Sequence, residues 1–384
     1  MNSSRGDASN LPQLDAEEIL TGILRWVDIE SPSHNADAVN HMVDHVEEGM
    51  AVLGLKTTRT PGRDGFGDIL KARTPWGGDG PGILVLSHLD TVHEIGTKED
   101  DNPIRREGDK VYGPGIYDMK AGAYIAFHGL RHLIREGKET PLPITFVFVP
   151  EEEVGSPTSR AVIEAEGARN KYVLVTEPAR EGGKIVTARN GVIRYKVKVT
   201  GRPAHSGSRH MDGRSAIKEM ARQILRFEEL TDYDRGVTCS VGLISGGTGV
   251  NVVPRECSIE VDMRVPTQED ATDMIATVEA FDVFDPDCTL EIETDYNRPP
   301  YEKFDKIAAL FDHAKGLAAE IGFELEDLKT GGCSDGNFTG AMGIPTLDGL
   351  GADGHGAHTL EEFIYYSSLV ERCRLMIRLF ETLE

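Results

Sequence analysis

Three short segments of the chain are apolar on both faces of a β-strand, and they constrain its fold more than any other feature. They are Ile83–Leu86, Ile144–Val149 and Tyr172–Val175. Strands of this kind are usually central strands of a parallel sheet, because helices cover both faces of such a sheet. A helical pattern over Met119–Gly137 separates the first two segments. The order predicts βαβ units, and therefore an α/β fold with a mostly parallel sheet.

A second pattern begins near residue 190. Apolar and polar residues alternate over Ile193–Val199 and Cys257–Val265, which predicts antiparallel strands with one face in water. The predicted elements are strand 191–200, helix 213–228, strand 238–245, strand 256–266, helix 268–282 and strand 288–296. This βαββαβ order is ferredoxin-like. Helical patterns return over 304–321 and 360–383, so we predict one domain formed by 1–189 and 299–384, with a second domain, 190–298, inserted into it.

Composition excludes several classes of protein. With 41 Lys and Arg against 64 Asp and Glu, the formal charge is −23, whereas nucleic-acid binding requires a basic surface. The five cysteines are odd in number and widely spaced, so we expect reduced thiols rather than disulfides or a thiolate zinc site. We find neither an apolar run of the roughly 20 residues that a membrane helix needs nor a secretory signal. The sequence therefore predicts a soluble, cytoplasmic protein.

A histidine and an aspartate directly follow the first apolar strand. Residues i and i+2 of an extended chain point the same way, so His88 can bind a metal while Asp90 accepts its second ring N–H. The carboxyl end of a strand is where open α/β sheets place their ligands. His210 and Asp212 have the same spacing but follow no strand, so the spacing alone is weak evidence.

Further acids and histidines follow the other predicted strands. Glu151–Glu153 ends the second apolar strand, and adjacent carboxylates there can divide the work of metal ligand and general base. Glu177 follows the third strand, Asp118 precedes a helix, and His358 lies in a later loop. A solvated loop or a helix cap explains each one separately. Their convergence on one end of the sheet favours a metal site, and these ligand types suit zinc, manganese or cobalt.

These segments together resemble the M20 metallopeptidase family of dinuclear-zinc amidohydrolases, and most closely its carboxypeptidase-like members. The resemblance covers nearly the whole chain and implies a catalytic domain of the zinc-exopeptidase type, with 190–298 as a lid and dimerisation domain. It rests on SHLDTV at 87–92, GPGIYDMKAG at 113–122, PEEEVGS at 150–156, TEP at 176–178, GRPAHSG at 201–207, GVNVVP at 249–254, DMR at 262–264, GGCSDGNF at 331–338 and HGAHTLEE at 355–362.

The resemblance implies two divalent metal ions, zinc in the first place, with manganese or cobalt as alternatives. Asp118 would bridge the two ions. His88 and Glu177 would complete the ligands of one ion, and Glu153 and His358 those of the other.

The same resemblance makes Glu152 the general base and Asp90 the residue that orients the first histidine. Because the chain has three consecutive glutamates, the register matters. The spacing Glu-Glu-x-Gly-Ser selects the last two and leaves Glu151 as a flanking acid. His355 competes with His358 for the last ligand position, and His358 fits the motif better.

Residues of the inserted segment and its surroundings are implied in substrate binding. His205 corresponds to a histidine that, in dimeric members, reaches the partner subunit's site and stabilises the oxyanion. Arg264 lies on the polar face of its strand, and its planar guanidinium suits a substrate carboxylate. The remaining candidate substrate contacts are Asn251, Arg298, Gly331 and Gly332.

The function implied is cleavage of the amide bond of an N-acyl or peptidyl C-terminal amino acid by a metal-activated water, with a glutamate as general base. The resemblance also implies a homodimer through 190–298. A deacylase or deaminase of the same family and a non-catalytic metal-binding relative are alternatives. A nucleotide-dependent oxidoreductase is disfavoured because no GxGxxG follows the first strand. The charge of −23 disfavours a phosphoesterase.

Overall fold

The computed structural model describes residues 11–384, which form two compact units. The first unit comprises the described residues up to Thr187 together with Lys303–Lys329 and Ser334–Glu384. The second comprises Ala188–Glu302 and Thr330–Cys333. The chain therefore leaves the first unit near residue 187 and returns to it after residue 302.

Helices and strands alternate along most of the chain. The α-helices are α1 (Ala16–Val27), α2 (Ala36–Val52), α3 (Thr97–Asp100), α4 (Ala121–Arg135), α5 (Arg160–Gly167), α6 (Ala216–Glu228), α7 (Gln268–Glu279), α8 (Asp305–Ile321), α9 (Gly336–Ala341) and α10 (Ser368–Thr382). The strands are β1 (Lys56–Thr60), β2 (Ile69–Arg73), β3 (Ile83–His88), β4 (Arg105–Glu107), β5 (Lys110–Tyr112), β6 (Ile144–Val149), β7 (Tyr172–Val175), β8 (Ile185–Arg189), β9 (Gly191–Thr200), β10 (Ala204–His205), β11 (Thr238–Gly246), β12 (Val252–Val253), β13 (Glu256–Val265), β14 (Thr289–Arg298), β15 (Asp327–Thr330), β16 (Thr346–Leu347), β17 (Gly354–His355) and β18 (Phe363–Tyr365).

The main sheet of the first unit has the strand order β1-β2-β6-β3-β7-β16. Strand β3 runs parallel to β6 and β7, and β16 runs parallel to β7, whereas β1 and β2 are antiparallel additions at one edge. The carboxyl ends of β3, β6 and β7 consequently lie side by side. These ends are residues 88, 149 and 175.

Strand β6 explains why the central strands are apolar on both faces. Phe146 and Phe148 contact aromatic side chains on one face, including Trp26 of α1. Val147 and Val149 belong to an apolar cluster on the other face, which includes Phe338 of α9. Every residue of β6 is therefore buried.

Side-chain caps fix the starts of the first two helices. Asp15 accepts a hydrogen bond from the backbone N–H of Glu17, and Asn35 accepts one from that of Ala38. Such caps satisfy N–H groups that have no partner inside the helix. Helix α1 then buries an apolar face that includes Ile23.

The end of the chain differs from the prediction. The sequence pattern predicts one helix over 360–383, but α10 begins only at Ser368. The segment Phe363–Tyr365 is instead strand β18, which pairs antiparallel with β5. Its three residues, two aromatic and one β-branched, favour a strand over a helix. Strands β17, β18, β5 and β4 form a small antiparallel sheet.

The second unit has an antiparallel sheet with the order β11-β13-β9-β14. Helices α6 and α7 cover one face, and residues such as Ile193 and Phe227 pack in the core between helices and sheet. The opposite face carries exposed charged side chains such as Lys196. The predicted α/β fold class, with a mainly parallel sheet and a βαββαβ segment, is confirmed.

Two further observations concern the described residues. Among residues 11–384, no helix combines the length and the apolar character needed to cross a bilayer. The five cysteines are free thiols, and four of them are buried.

Candidate metal centre

His88 is the last residue of β3, and its imidazole is buried at the carboxyl edge of the sheet. Its Nδ1 lies 2.9 Å from the main-chain oxygen of Asp90 and 3.4 Å from the Oδ1 of the same residue. Both groups accept hydrogen bonds, so Nδ1 carries the proton. The other nitrogen, Nε2, faces the carboxylates of the site. Asp90 thus orients His88, and its main-chain carbonyl makes the shorter contact.

Asp90 is itself fixed by three hydrogen bonds. Its Oδ2 accepts one from the Ser33 hydroxyl at 2.6 Å. The backbone N–H groups of Glu152 and Glu153 donate to its two carboxylate oxygens, each at 3.2 Å. Asp90 therefore connects the end of β3 to the turn that follows β6.

Asp118 lies in an irregular turn between β5 and α4 and is buried between two histidines. Its Oδ1 is 3.1 Å from the Nε2 of His88, and its Oδ2 is 3.6 Å from the Nε2 of His358. One carboxylate oxygen thus faces each histidine, which is the arrangement that a carboxylate bridging two cations requires.

Two glutamates complete the cluster. Glu177 follows β7, and its Oε1 is 3.8 Å from the Nε2 of His88. Glu153 follows β6, and its Oε2 is 2.9 Å from the Nε2 of His358. His358 has a left-handed backbone, with φ of 64°. The five predicted metal ligands therefore lie together, three of them at the ends of neighbouring strands.

The three consecutive glutamates occupy different environments. Glu151 is fully buried, and its carboxylate accepts hydrogen bonds from the backbone N–H and the hydroxyl of both Thr158 and Ser159. It therefore anchors the loop that follows the site. Glu152 is partly buried, and one of its oxygens lies in a group with atoms of His88 and Glu177 that are all within 4.8 Å of one another.

Crowding shifts the acidity of the ligand carboxylates. Burial and the neighbouring Asp118 raise the pKa of both Glu177 and Glu153 above the usual value for a glutamate. Although burial opposes ionisation of Asp118, hydrogen bonds from His358 and His88 hold its pKa well below the usual value. Like-charged buried carboxylates favour protonation unless a cation compensates for them.

The pKa values of the two histidines of the cluster are raised as well. Hydrogen bonds to Asp118 and Glu153 raise the pKa of His358 to about 11. Burial disfavours the charged form of His88, yet its contacts with Asp118 and Asp90 raise its pKa well above the usual value. The cluster therefore attracts positive charge.

The donor set fits divalent cations. The Oε1 of Glu153 is buried and has no hydrogen-bond partner among the described residues. Two sets of three side chains each have donor atoms that all lie within 4.8 Å of one another. One set is His88, Glu152 and Glu177, and the other is His88, Asp118 and Glu153. Carboxylate and imidazole donors without a thiolate suit zinc, manganese or cobalt. His355, the competing histidine, lies in β17 with an exposed side chain.

The second unit carries His205 and Asn251 on neighbouring segments. Strand β10 pairs with β12, so that His205 lies opposite Val252, and the main-chain oxygen of Asn251 accepts a hydrogen bond from the N–H of Ser206. The Nδ1 of His205 accepts hydrogen bonds from the N–H groups of Gly207 and Ser208. Its proton is therefore on Nε2, which is available as a donor. Both His205 and Asn251 are exposed.

Arg264 lies on β13 and is paired with an acid two residues earlier. Its Nε and Nη2 contact the two carboxylate oxygens of Asp262 at 2.6 and 3.1 Å. Its Nη1 is 3.8 Å from the Sγ of Cys333. Asp262 therefore holds two of the three guanidinium nitrogens and orients Arg264, while the third, Nη1, contacts Cys333 and has a second N–H for a further partner.

The other predicted substrate contacts differ in exposure. Arg298 ends β14 and is buried. Gly331 and Gly332 are exposed, and the guanidinium of Arg189 donates to the main-chain oxygen of Gly332 at 3.2 Å. The roles of these residues stay predictions.

Sequence reasoning missed three residues beside the cluster. Glu362 is buried and accepts hydrogen bonds from the backbone around Asp118, and His93 contacts Glu362. Arg180 was also missed, and its Nη2 lies 3.8 Å from the Oε2 of Glu177. Glu362 lies within the segment HTLEE, and Arg180 lies three residues after Glu177, so the sequence offered a signal for both. Neither residue directly follows a predicted apolar strand, however, which is the position that indicated several of the other candidates.

A family model covers most of the chain. Residues 84–382 match the model described as Peptidase family M20/M25/M40. This range includes every residue of the proposed metal cluster.

Individual proteins resemble the chain as well. Carboxypeptidase G2 of Pseudomonas sp. (strain RS-16) is 28% identical over 367 residues, which cover 94% of this chain and 88% of that protein. An acetylornithine deacetylase of Myxococcus xanthus is 27% identical over 243 residues, which cover 59% of this chain and 62% of that protein. The crystal structure of aminopeptidase PepT from Bacillus cereus has the same fold, with a TM-score of 0.79 at 22% identity over 96% of this chain and 98% of that chain.

Proposed function

We propose, since the chain belongs to peptidase family M20/M25/M40, that it is a carboxypeptidase-like amidohydrolase with a dinuclear metal centre. As a member of this family it is a metal-dependent hydrolase of C–N bonds. Its proposed substrates are N-acyl amino acids or short peptides, cleaved at the amide bond to the C-terminal amino acid. The extended similarity to a carboxypeptidase supports this choice among the activities of the family.

One observation carries the proposal. Five ligand-type side chains converge at the edge where β3, β6 and β7 end, and a sixth, Glu152, lies among them. We assign one cation to His88, Asp118 and Glu177, and the other to Asp118, Glu153 and His358. Zinc is the metal proposed, with manganese or cobalt as alternatives. Such ions supply Lewis-acid polarisation of the scissile carbonyl and of the attacking water.

Glu152 is the proposed general base. Its backbone N–H donates to Asp90, and the residue is only partly buried, which suits a group that exchanges protons with water and substrate. It would take a proton from the attacking water and then deliver that proton to the leaving nitrogen. General acid–base catalysis of this kind contributes about 10²–10⁴-fold to the rate.

His205 and Arg264 are the proposed substrate-binding groups of the second unit. The Nε2 of His205 carries a proton and can donate to the developing oxyanion. Arg264, oriented by Asp262, can bind the free carboxylate of the substrate through Nη1. Asn251, Arg298, Gly331 and Gly332 complete the proposed substrate contacts.

A deacylase or deaminase that acts on a small metabolite is the second candidate. The similarity to an acetylornithine deacetylase supports it, because the proposed metal ligands do not by themselves select the acyl group or the amine that is released. A non-catalytic metal-binding relative would be expected to lack the base, whereas Glu152 is present.

We also propose a homodimer formed through residues 190–298. Strand β11 is at the edge of the four-stranded sheet, and its apolar residues Leu243 and Ile244 are more than half exposed. Edge strands with exposed apolar side chains readily pair with another chain. Light scattering on the purified protein measures the oligomeric state, and a monomer would contradict this assignment. A cytoplasmic location stays a prediction.

The test is amine release from N-acyl amino acids, dipeptides and acylated diamines. Each substrate is assayed with the native protein, after chelation, and after zinc or manganese is returned. We expect release that stops with the chelator and returns with metal, and we expect substrates with a free carboxylate to be preferred. A preference for acylated diamines would favour the deacylase, and no release from any substrate by the metal-loaded protein would contradict both.

A further inference from the structure

Glu362 is a buried carboxylate that binds the turn carrying Asp118. Its Oε1 accepts hydrogen bonds from the backbone N–H groups of Tyr117 and Asp118 at 2.8 and 2.9 Å. Its Oε2 accepts one from the N–H of Gly115 at 2.9 Å. One side chain therefore satisfies three N–H donors of a turn that has no regular helix or strand to satisfy them.

The position of Glu362 in the chain links this turn to another ligand. Glu362 lies four residues after His358 and directly before β18, which pairs with β5. The turn with Asp118 begins where β5 ends. Glu362 therefore joins the segment that carries His358 to the segment that carries Asp118. The Nε2 of His358 lies 3.6 Å from the Oδ2 of Asp118.

A third segment reaches the same carboxylate through His93. The Nε2 of His93 lies 2.6 Å from the Oε2 of Glu362, and both side chains are buried. His93 lies five residues after His88, in the loop that follows β3. The pair His93–Glu362 thus connects the three segments that carry His88, Asp118 and His358.

We propose that Glu362 and His93 are positioning residues that set the metal affinity of the site. The inference rests on the metal centre assigned under the proposed function. Neither residue belongs to the assigned ligands; they act by holding Asp118 and His358 where one cation can bind both. Partners beyond the ligands typically change metal affinity by about 10–100-fold when they are mutated.

The first variant is Glu362→Gln, with Glu361→Gln as its matched control. The amide nitrogen of glutamine would face N–H donors where a carboxylate oxygen now accepts, so the turn loses at least one hydrogen bond. Glu361 is the adjacent glutamate, and its side chain is 81% exposed. Both variants remove one negative charge at nearly the same place, and only one of them disturbs the turn.

The measurement is the dissociation constant for Zn²⁺, obtained from the metal-free protein by competition with a chromogenic chelator. We expect Glu362→Gln to bind zinc about 10–100-fold more weakly and Glu361→Gln to bind it as the wild type does. At saturating zinc, kcat of Glu362→Gln should recover. His93→Phe should weaken zinc binding too, and His93→Gln, which keeps an N–H donor, should restore part of it.

Thermal unfolding of the metal-free variants distinguishes positioning from a purely structural role. A structural role lowers the unfolding temperature but leaves the zinc affinity of the folded protein unchanged, and that result in Glu362→Gln would overturn the proposal. If Glu362→Gln does not fold, the two His93 variants decide. Because affinity is measured without substrate, a wild type that binds zinc but cleaves nothing would contradict the proposed function alone.

Discussion

The chain contains two His-x-Asp segments with identical spacing, and they differ in burial and in the residues that they contact. His88 and Asp90 follow a buried strand, are themselves buried, and contact Asp118, Glu177 and each other. His210 and Asp212 form an exposed helical turn, in which Asp212 pairs with Arg209 at 2.6 Å. The spacing alone therefore does not identify a metal site. It becomes informative where the segment lies at a strand end that is next to the ends of other strands.

A similar contrast in burial exists between the proposed functional residues of the two units. Four of the five proposed ligands of the first unit have side chains that are at most 10% exposed, and His358, whose side chain is 55% exposed, contacts Glu153 and Asp118. His205 and Asn251 of the second unit are exposed, and they take part in hydrogen bonds with nearby backbone groups. We therefore expect substitutions at the proposed metal ligands to weaken metal binding, and substitutions at His205 and Asn251 to leave it unchanged.

The largest effect expected is that of Glu152→Gln. We expect kcat on the best substrate to fall about 10²–10⁴-fold, because the proton acceptor is lost. Zinc content should stay at two ions per chain, since Glu152 is assigned as base and not as ligand. Elemental analysis and kinetics check both statements, with the exposed Glu139→Gln as control. Loss of zinc from Glu152→Gln would make Glu152 a ligand, as its closeness to His88 and Glu177 also allows.

The next effect is that of His205→Ala. Loss of a donor to the oxyanion should lower kcat about 10²–10³-fold. Because His205 is exposed, neither zinc affinity nor the unfolding temperature should change. His210→Ala is the matched control, since this histidine is also exposed and lies five residues away. Equal losses in the two variants would remove His205 from the catalytic assignment.

Much of the fold could be predicted from local patterns. The strands with two apolar faces and the alternating strands were recognisable from the sequence. A strand that is buried on both faces has apolar residues throughout, whereas a strand that is buried on one face has alternating apolar and polar residues. Strands β1 and β2 were not predicted, because β1 is a polar edge strand and β2, which lies between β1 and β6, has only five residues of mixed polarity. Strand β18 was mistaken for part of a helix, because its pairing with β5 depends on residues about 250 positions away in the chain.

For the candidate site, the clustering of ligands could be predicted from the sequence, but the hydrogen bonds that support them could not. The clustering of His88, Glu153 and Glu177 follows from strand ends that meet at one edge, which the sequence order implies. The anchoring role of Glu151 and the contacts of Glu362 could not be derived, because they depend on which backbone N–H groups a turn leaves without partners. Those hydrogen bonds appear only when the turn has its three-dimensional shape.

A buried histidine of helix α4 should make the first unit sensitive to acid. His128 lies on α4, where burial lowers its pKa to about 4, and Arg131 donates to its Nδ1 at 2.7 Å. The unfolded chain binds a proton near pH 6.5, so this contribution to stability is complete above pH 6.5 and is lost as the pH falls toward 4.

The variant His128→Gln tests this contribution by urea unfolding of the metal-free protein. Between pH 7 and pH 4 the wild type should lose about 3 kcal/mol more of its free energy of unfolding than the variant loses. Glutamine keeps an acceptor for Arg131 but binds no proton. The exposed His210→Gln should behave as the wild type. Parallel pH dependence of wild type and His128→Gln would show that His128 is not held neutral.

The smallest effect, and the most selective, is expected for Arg264→Gln. A hydrogen bond to a charged group contributes about 1.5–3 kcal/mol, so KM for substrates with a free carboxylate should rise about 10–100-fold. Substrates whose carboxylate is blocked as an amide should keep the KM they have with the wild type. Arg209→Gln, an exposed arginine of the same unit, should change neither value. If free and blocked substrates are affected equally, Arg264 supports the strand through Asp262 and does not recognise the carboxylate, and the deacylase becomes the better proposal.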